Sequence, residues 1–375
     1  MNLSTPSYII DTSCISPLAL STDENFNSLV EGRSAIRKME DDSFYHEPVL
    51  AAVFDAEIMI NFRQRFQTQT RFDALLLACF DDMLQKRYVD YSSADTLLIL
   101  STTKGNVELL AENSEDEKAY LQYSAGLLQQ YAQNPNPVLI VSNACISGIS
   151  ASIVAKRYLD AGLYNNVLVI GCDVVTPFVL SGFSSFHAIS KNGCKPFDLE
   201  RDGVVLGEAC GALLLSSRIS SDIIMEGGFI SNDANHISGP SKTGEELAFC
   251  IRSTLSQAQV NAEEVDFISA HGTATPYNDE MESKAICLAN LQQVPVFSLK
   301  ANFGHTLGAA GIIESIMSIE GLKRGIVLPS LGFSQMGVSG GIRVNQFLTE
   351  KKMSFALKTG SGFGGCNAAM LLHKK

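Results

Sequence analysis

The segment from Val138 to Gly162 constrains the fold most. Val138–Val141 is a short, largely β-branched apolar run, which predicts a buried strand. A turn of small residues follows, Ser142-Asn143-Ala144-Cys145-Ile146-Ser147-Gly148. Helical spacing then predicts a helix over Ile149–Ala161, with Gly162 at its C′ position, before a second strand at Val167–Ile170. Strand, helix, strand predicts a parallel βαβ unit, because parallel neighbours need a long crossover.

The same alternation recurs. Tyr8–Ile10 and Leu97–Leu100 are predicted strands, the latter ending in the turn Thr103-Lys104-Gly105, and Asp73–Tyr88 is a predicted helix. Later come strands at Val265–Ala270, Val294–Ser298 and Ala368–Leu372 and helices at Asp279–Asn290 and Gly311–Leu322. Such alternation implies a layered α/β fold with buried sheets. Apolar residues at 46% against 18% charged supply enough material to cover sheets on both faces. Two halves, 1–220 and 221–375, meeting near Ser216–Ile224, predict an internal duplication.

Composition excludes several classes. A net charge of -12 lacks the basic footprint of a nucleic-acid groove. No apolar run is long enough for a membrane span, and the start MNLSTPSYIID lacks the basic and apolar regions of a secretory signal. Nine scattered cysteines without CxxC pairs favour free thiols in a cytoplasmic protein and disfavour a structural zinc site; no cofactor or metal is expected.

Four places carry chemistry-bearing residues. Cys145 lies where a strand turns into a helix, and the unpaired N–H groups and positive dipole end there favour thiolate and stabilise an oxyanion. His271 ends a strand and opens His271-Gly272-Thr273-Ala274-Thr275-Pro276. Lys300 and His305 share a segment rich in glycine and small residues, Ser298–Gly308. Phe363 sits among glycines in Gly360–Gly365, as in a tightly turned loop beside a site. A cysteine, two histidines and a lysine at strand ends suit acyl-thioester chemistry.

Five stretches carry a resemblance: NACISG at Asn143–Gly148, KPFDLERDGVVLGEACGALLL at Lys195–Leu215, HGTATPYNDEMES at His271–Ser283, SLKANFGHTLGAAG at Ser298–Gly311, and GFGGCNAAMLL at Gly362–Leu372. In this order they resemble the elongating, Cys-His-His β-ketoacyl-acyl carrier protein synthases. The first 130 residues match more loosely, through Ile15–Leu20 and Leu97–Gly105. The resemblance implies the thiolase-like fold, a duplicated five-layered α-β-α-β-α arrangement, and a homodimer or a heterodimer with a related subunit.

It also implies roles. Cys145 accepts an acyl group from an acyl carrier protein. His271 and His305 assist decarboxylation of malonyl-carrier, and Lys300 organises them with Glu282 as its partner. Phe363 gates the site, and its N–H joins that of Cys145 in the oxyanion hole. Thr273 and Thr275 bind pantetheine, and Phe183 lines the acyl pocket. Asp198, Arg201, Asp202 and Glu208 read as a paired charge network near the site. Cys172, Cys194, Cys210 and Cys366 read as core or turn residues, and His46, His187, His236 and His373 carry no comparable context. The chain is short for this branch, and Ile146 beside the nucleophile bears on the acyl pocket. Both point toward a specialised pathway, such as polyene or polyketide synthesis, at least as much as fatty acid synthesis. The alternative is one subunit of a ketosynthase/chain-length-factor pair. Such partners typically lose the nucleophile, which this chain keeps. Lys104, Lys156, Arg157 and Lys191 are the basic residues available to dock an acidic carrier.

Overall fold

A computed structural model describes residues 6–41, 45–233 and 239–375. His236 lies outside the described residues. Eleven strands make the main sheet: β1 (Tyr8–Ile15), β2 (Thr96–Ser101), β3 (Leu139–Val141), β4 (Asn166–Asp173), β5 (Ala209–Ser216), β6 (Ile223–Asn232), β7 (Phe267–Ser269), β8 (Pro295–Phe297), β9 (Arg343–Val344), β10 (Phe355–Gly362) and β11 (Cys366–Lys374). Their spatial order is β9-β8-β7-β10-β11-β6-β1-β5-β4-β2-β3. Two half-sheets meet where Tyr8 of β1 pairs with Ile224 of β6.

Alternation along the strands explains the layers. Leu98 and Leu100 of β2 pack outward with helix α1 (Arg71–Lys86), whereas Leu97 and Ile99 pack inward. The inward cluster also holds Ile149 and Ile153 of α2 (Ser147–Asp160), Ile312 and Ile316 of α5 (Ala310–Arg324), and Ala356, Met370 and Leu372 from the other half-sheet. Leu357 and Leu371 point the opposite way, into a third cluster with Leu247 and Ile251 of α3 (Glu245–Ala258) and Met281 and Ile286 of α4 (Pro276–Leu288). The result is helix, sheet, helix, sheet, helix: the five-layered thiolase-like arrangement. Strands buried on both faces read as unbroken apolar runs. Central α5 is buried on every side from Ala310 to Leu322, as a helix between two sheets must be.

The predicted βαβ unit forms, with α2 starting two residues early at Ser147 and Gly162 at φ +66° beyond its end. Both of its strands run parallel to β2, which lies between them. One expectation is corrected. The run over Val138–Val141 is not a buried strand; Leu139–Val141 is half-buried because it forms an edge of the sheet.

The central helices α2 and α5 touch through glycine. A Cβ on Gly148 would lie 2.8 Å from the Ile312 nitrogen, and one on Gly311 would lie 2.7 Å from the Ile149 nitrogen. Backbone cannot yield as a flexible side chain can. Gly311→Val is therefore expected to destabilise the protein by about 3 kcal/mol, read as a lower denaturant midpoint.

Candidate active site

Cys145 occupies a tight elbow between β3 and α2. Ala144 before it holds φ +45°, left-handed backbone that is uncommon for a residue with a Cβ. The Ser147 hydroxyl braces the turn, accepting the Asn143 N–H at 2.8 Å and donating to the Ala144 carbonyl at 2.6 Å. The elbow leaves Cys145 half-buried, with its sulfur beside His271 and His305 of the second half of the chain.

His271 follows β7, and Glu282 on α4 fixes it. The two carboxylate oxygens accept the N–H groups of His271 at 2.8 Å and Gly272 at 2.7 Å, and Thr359 donates its hydroxyl to the same carboxylate at 2.8 Å. His305 is placed by backbone alone: its N–H donates to the Val205 carbonyl at 2.6 Å, and its carbonyl accepts the Gly207 N–H at 3.0 Å. Asp173, at the end of β4, accepts the Gly308 N–H at 2.7 Å and the Thr102 and Thr103 hydroxyls at 2.9 and 3.0 Å, securing the loop beyond His305.

These elements converge. The Cys145 sulfur and one ring nitrogen each from His271 and His305 lie within 4.8 Å of one another. The two imidazoles meet edge to face, centroids 5.3 Å apart. Neither ring nitrogen of His305 has a hydrogen-bond partner, although the residue is 1% exposed. A cavity of about 460 Å³ opens over the trio, and Thr273, Thr275, Phe183 and Phe363 line it. The Thr273 and Thr275 hydroxyls bond each other at 2.8 Å. The Phe183 ring stands 6.5 Å from His305 and 5.5 Å from Phe363. Phe363 occupies the turn between β10 and β11, ahead of Gly364 and Gly365 at φ +87° and +76°, where any other residue would be strained.

The electrostatics are those of a neutral resting pair. Burial pushes the Cys145 thiol up to about 12, and neighbouring Cys366 adds to this. Lys300 and the Phe363 N–H pull the other way without overcoming burial. The preference for thiolate expected at a helix start is opposed here by desolvation. Burial also holds both imidazoles well below their ordinary value, reinforced by Lys300 and Lys358 and, for His271, by His305. A buried thiol beside neutral imidazoles can pass its proton to one of them as it attacks.

Lys300 lies fully buried, but its partner is not Glu282. Its ammonium is paired with Glu314 on α5. Glu282 is occupied by the His271-Gly272 turn, whereas α5 presents Glu314 to the short helix Lys300–Phe303. Glu314's other oxygen pairs with Lys358 at 2.7 Å. The sequence reading missed Glu314 and Lys358. It also passed over Phe186, His187, Tyr277 and Asn278, which line the cavity.

The expected charge network of the Lys195–Leu215 motif is corrected as well. Glu208 pairs with Arg71, not Arg201. Asp198 accepts N–H groups from Glu200, Ser334 and Gln335, and Arg201 donates to the Gly337 carbonyl. Asp198 and Arg201 together hold the 334–337 loop, with Arg201 also donating to the Asp198 carbonyl at 3.0 Å, whereas Glu208 turns away to Arg71. Asp202, which accepts the Asn192 amide at 2.8 Å, also lines the cavity.

Known proteins match this picture. The profile of "Beta-ketoacyl synthase, N-terminal domain" matches residues 96–219, and that of "Beta-ketoacyl synthase, C-terminal domain" matches 223–334. A putative mitochondrial 3-oxoacyl-[acyl-carrier-protein] synthase of Schizosaccharomyces pombe is 30% identical, over 62% of this chain and 60% of its own length. The actinorhodin polyketide putative beta-ketoacyl synthase 1 of Streptomyces coelicolor is 31% identical, over 63% of this chain and 54% of its own. The match thus spans about three fifths of the length of such relatives. Among solved structures, one of the ketosynthase ApeO in complex with its chain length factor ApeC, from Xenorhabdus doucetiae, superposes with a TM-score of 0.87 at 23% identity, covering 100% of this chain and 99% of that one. A beta-ketoacyl synthase from Burkholderia phymatum gives 0.88 at 22% identity, covering 99% and 100%. With its five layers and with both halves of the sequence matched by one family's two profiles, the chain belongs to the beta-ketoacyl synthases.

Proposed function

We propose that the chain catalyses decarboxylative condensation of an acyl thioester with malonyl-acyl carrier protein. One observation carries the reading: the Cys145 sulfur and the imidazole nitrogens of His271 and His305 converge within 4.8 Å beneath an open cavity. Cys145 attacks the acyl thioester, forming a new S–C bond and releasing the carrier's pantetheine thiol, with the thiol proton passing through a neutral imidazole. Malonyl-carrier then enters past Phe363, and its thioester oxygen accepts hydrogen bonds from His271 and His305. Loss of carbon dioxide leaves an enolate that these bonds stabilise. The enolate carbon attacks the Cys145 thioester, the oxyanion being met by the N–H groups of Cys145 and Phe363. The S–C bond breaks, and the β-ketoacyl product stays on the carrier. Lys300 organises the histidines, and Thr273 and Thr275 receive the pantetheine arm.

The chain acts in this reading as a homodimer or as the catalytic half of a heterodimer; retention of Cys145 favours the catalytic half over a chain-length-factor role. A polyene or polyketide chain is as fitting a product as a fatty acyl chain. Nine free thiols, seven of them buried in the fold, support a cytoplasmic setting, and among the described residues no helix is long and apolar enough to cross a membrane.

The test is intact mass after incubation with a panel of acyl-carrier thioesters. The expected result is a gain of one acyl group, mapped to Cys145 by digestion and discharged as a β-ketoacyl-carrier when malonyl-carrier is added. Persistent absence of any acyl adduct, with a partner subunit supplied, overturns the reading.

A further inference from the structure

Lys358 sits in the middle of β10 and is 1% exposed. Its neighbours on the same strand face, Ala356 and Gly360, are small and pack toward the central helices. A lysine in that row is not core filling, since an apolar side chain of similar volume would be buried at lower cost. Its ammonium is fully engaged. It donates to the carbonyls of Ser269 at 3.0 Å, Ala270 at 3.2 Å and Thr359 at 2.6 Å, and it pairs with Glu314 at 2.7 Å. Glu314 thereby holds two buried ammoniums, Lys300 and Lys358.

The location matters more than the count. Ala270 immediately precedes His271, and β10 runs on to Gly362, immediately before Phe363. In the sheet, Ser269 is the direct parallel neighbour of Lys358. The next residue, Thr359, binds Glu282, which also clamps the His271 N–H. One side chain thus ties together the strand end that carries a histidine, the strand that carries the Phe363 turn, and the carboxylate that holds Lys300.

We propose that Lys358 is a positioning residue for the condensation, fixing the His271 strand end and the Phe363 turn relative to Lys300 through Glu314 and the three carbonyls. This inference rests on the proposed condensation activity. It carries an electrostatic consequence. The charged or titratable groups around the two imidazoles are Cys145 on the elbow, Lys300 on its short helix, Glu282 on α4, Glu314 on α5, Lys358 on β10, each other, and His187 and Asp202, which line the same cavity. Burial, then Lys300, with Lys358 as a further contributor, keep both imidazoles neutral. Removing the Lys358 charge raises the imidazole values, so the acid limb of any step needing neutral histidine moves to higher pH.

The experiment uses Lys358→Met in the full chain, together with its native partner if one is required. Three quantities are read: acyl uptake on Cys145, release of carbon dioxide from malonyl-carrier, and the pH profile of that release. Decarboxylation is expected to fall about 10- to 100-fold, the range typical of residues that orient site groups from behind. Acyl uptake stays within about threefold, and the acid limb moves to higher pH. Equal loss in both half-reactions with an unmoved limb would show a merely structural role and overturn the proposal, as would unchanged decarboxylation. Lys358→Gln keeps a donor for the carbonyls without the charge; it is read by the same limb shift if the methionine variant does not fold. A wild-type protein inactive in both half-reactions overturns the condensation reading and this inference with it. An active wild type with an indifferent variant overturns this inference alone.

Discussion

Cys145→Ala protein is expected to take up no acyl group and to form no β-ketoacyl product, yet to go on releasing carbon dioxide from malonyl-carrier; His305→Ala protein is expected to do the reverse. The crossing follows from geometry. Cys145 lies on the elbow before α2, and the two histidines proposed to meet the malonyl thioester lie in the other half of the chain, so deleting the sulfur leaves the imidazoles and their supports in place. Losing the nucleophile removes condensation by a factor on the order of 10⁵ or more, the scale seen when a covalent nucleophile is deleted from an acyl-transfer enzyme. On the proposed mechanism, losing His305 removes one of two preorganised donors to a developing enolate, which is expected to cost about 10²–10³ in rate. His305 has no hydrogen bond from either ring nitrogen to sacrifice, so its removal disturbs little beyond the cavity. Intact mass reads the first half-reaction, and conversion of malonyl-carrier to acetyl-carrier reads the second. Condensation by the alanine variant of Cys145 would sink the nucleophile assignment. Wild-type decarboxylation without His305 would sink the electrostatic role. The pH dependence has a definite sign. Burial, Lys300 and Lys358 hold His305 well below the ordinary imidazole value, so wild-type decarboxylation persists as pH falls through 6.5 and fails only below it.

What the sequence made legible divides along physical lines. Strand-helix alternation exposes the layers because strands covered on both faces must be apolar throughout, as Leu97–Leu100 and Val167–Ile170 are. Edge strands escape this logic: Leu139–Val141 has the composition of a core strand and half its burial. Cys145, His271, Lys300 and His305 were visible because each lies at a turn, beside glycines and small residues that let backbone approach closely. The supports behind them were harder. Glu282 shares its helix with Asp279 and Glu280, and nothing in spacing says which of the three carboxylates faces the His271 turn or that Lys300 pairs with none of them. Glu314 did carry a signal: a glutamate in Gly311–Leu322, a helix too apolar to have a wet face, has to be buried and has to meet a cation. Lys358 carried the same signal within a strand. Both follow from asking where an isolated charge goes when its whole element is buried. The thiol's protonation state was not legible at all, because the dipole at a helix start is local whereas desolvation depends on everything packed around it.

That buried charge also makes Glu314 the residue whose loss should cost most in stability. Glu314→Leu would leave the Lys300 ammonium, 0% exposed, without its carboxylate, and would strip Lys358 of its ion pair while leaving it three carbonyls. Breaking a buried pair by deleting one partner costs about 3–5 kcal/mol, because the remaining charge cannot be rehydrated. Here one deletion strands two cations, so a value at the upper end is expected, read as a fall in denaturant midpoint and melting temperature. The pH dependence follows from linkage. Burial already lowers Lys358 from its ordinary value, with Glu314 opposing and Lys300 reinforcing the shift. With Glu314 gone, that value drops further. The unfolded chain then binds more protons than the folded one across the interval between the depressed value and the ordinary lysine value of about 10.4. Stability of the variant should therefore rise with pH through that interval, and its deficit against wild type should narrow between neutral pH and pH 10. A second change separates charge from packing. Lys300→Met in the Glu314→Leu background removes one stranded cation, so the double variant should be more stable than the sum of the two single losses, with a coupling of about 1–3 kcal/mol. Additive losses, or a deficit that does not change with pH, would mean that packing around α5, and not the shared carboxylate, is what the substitution damages.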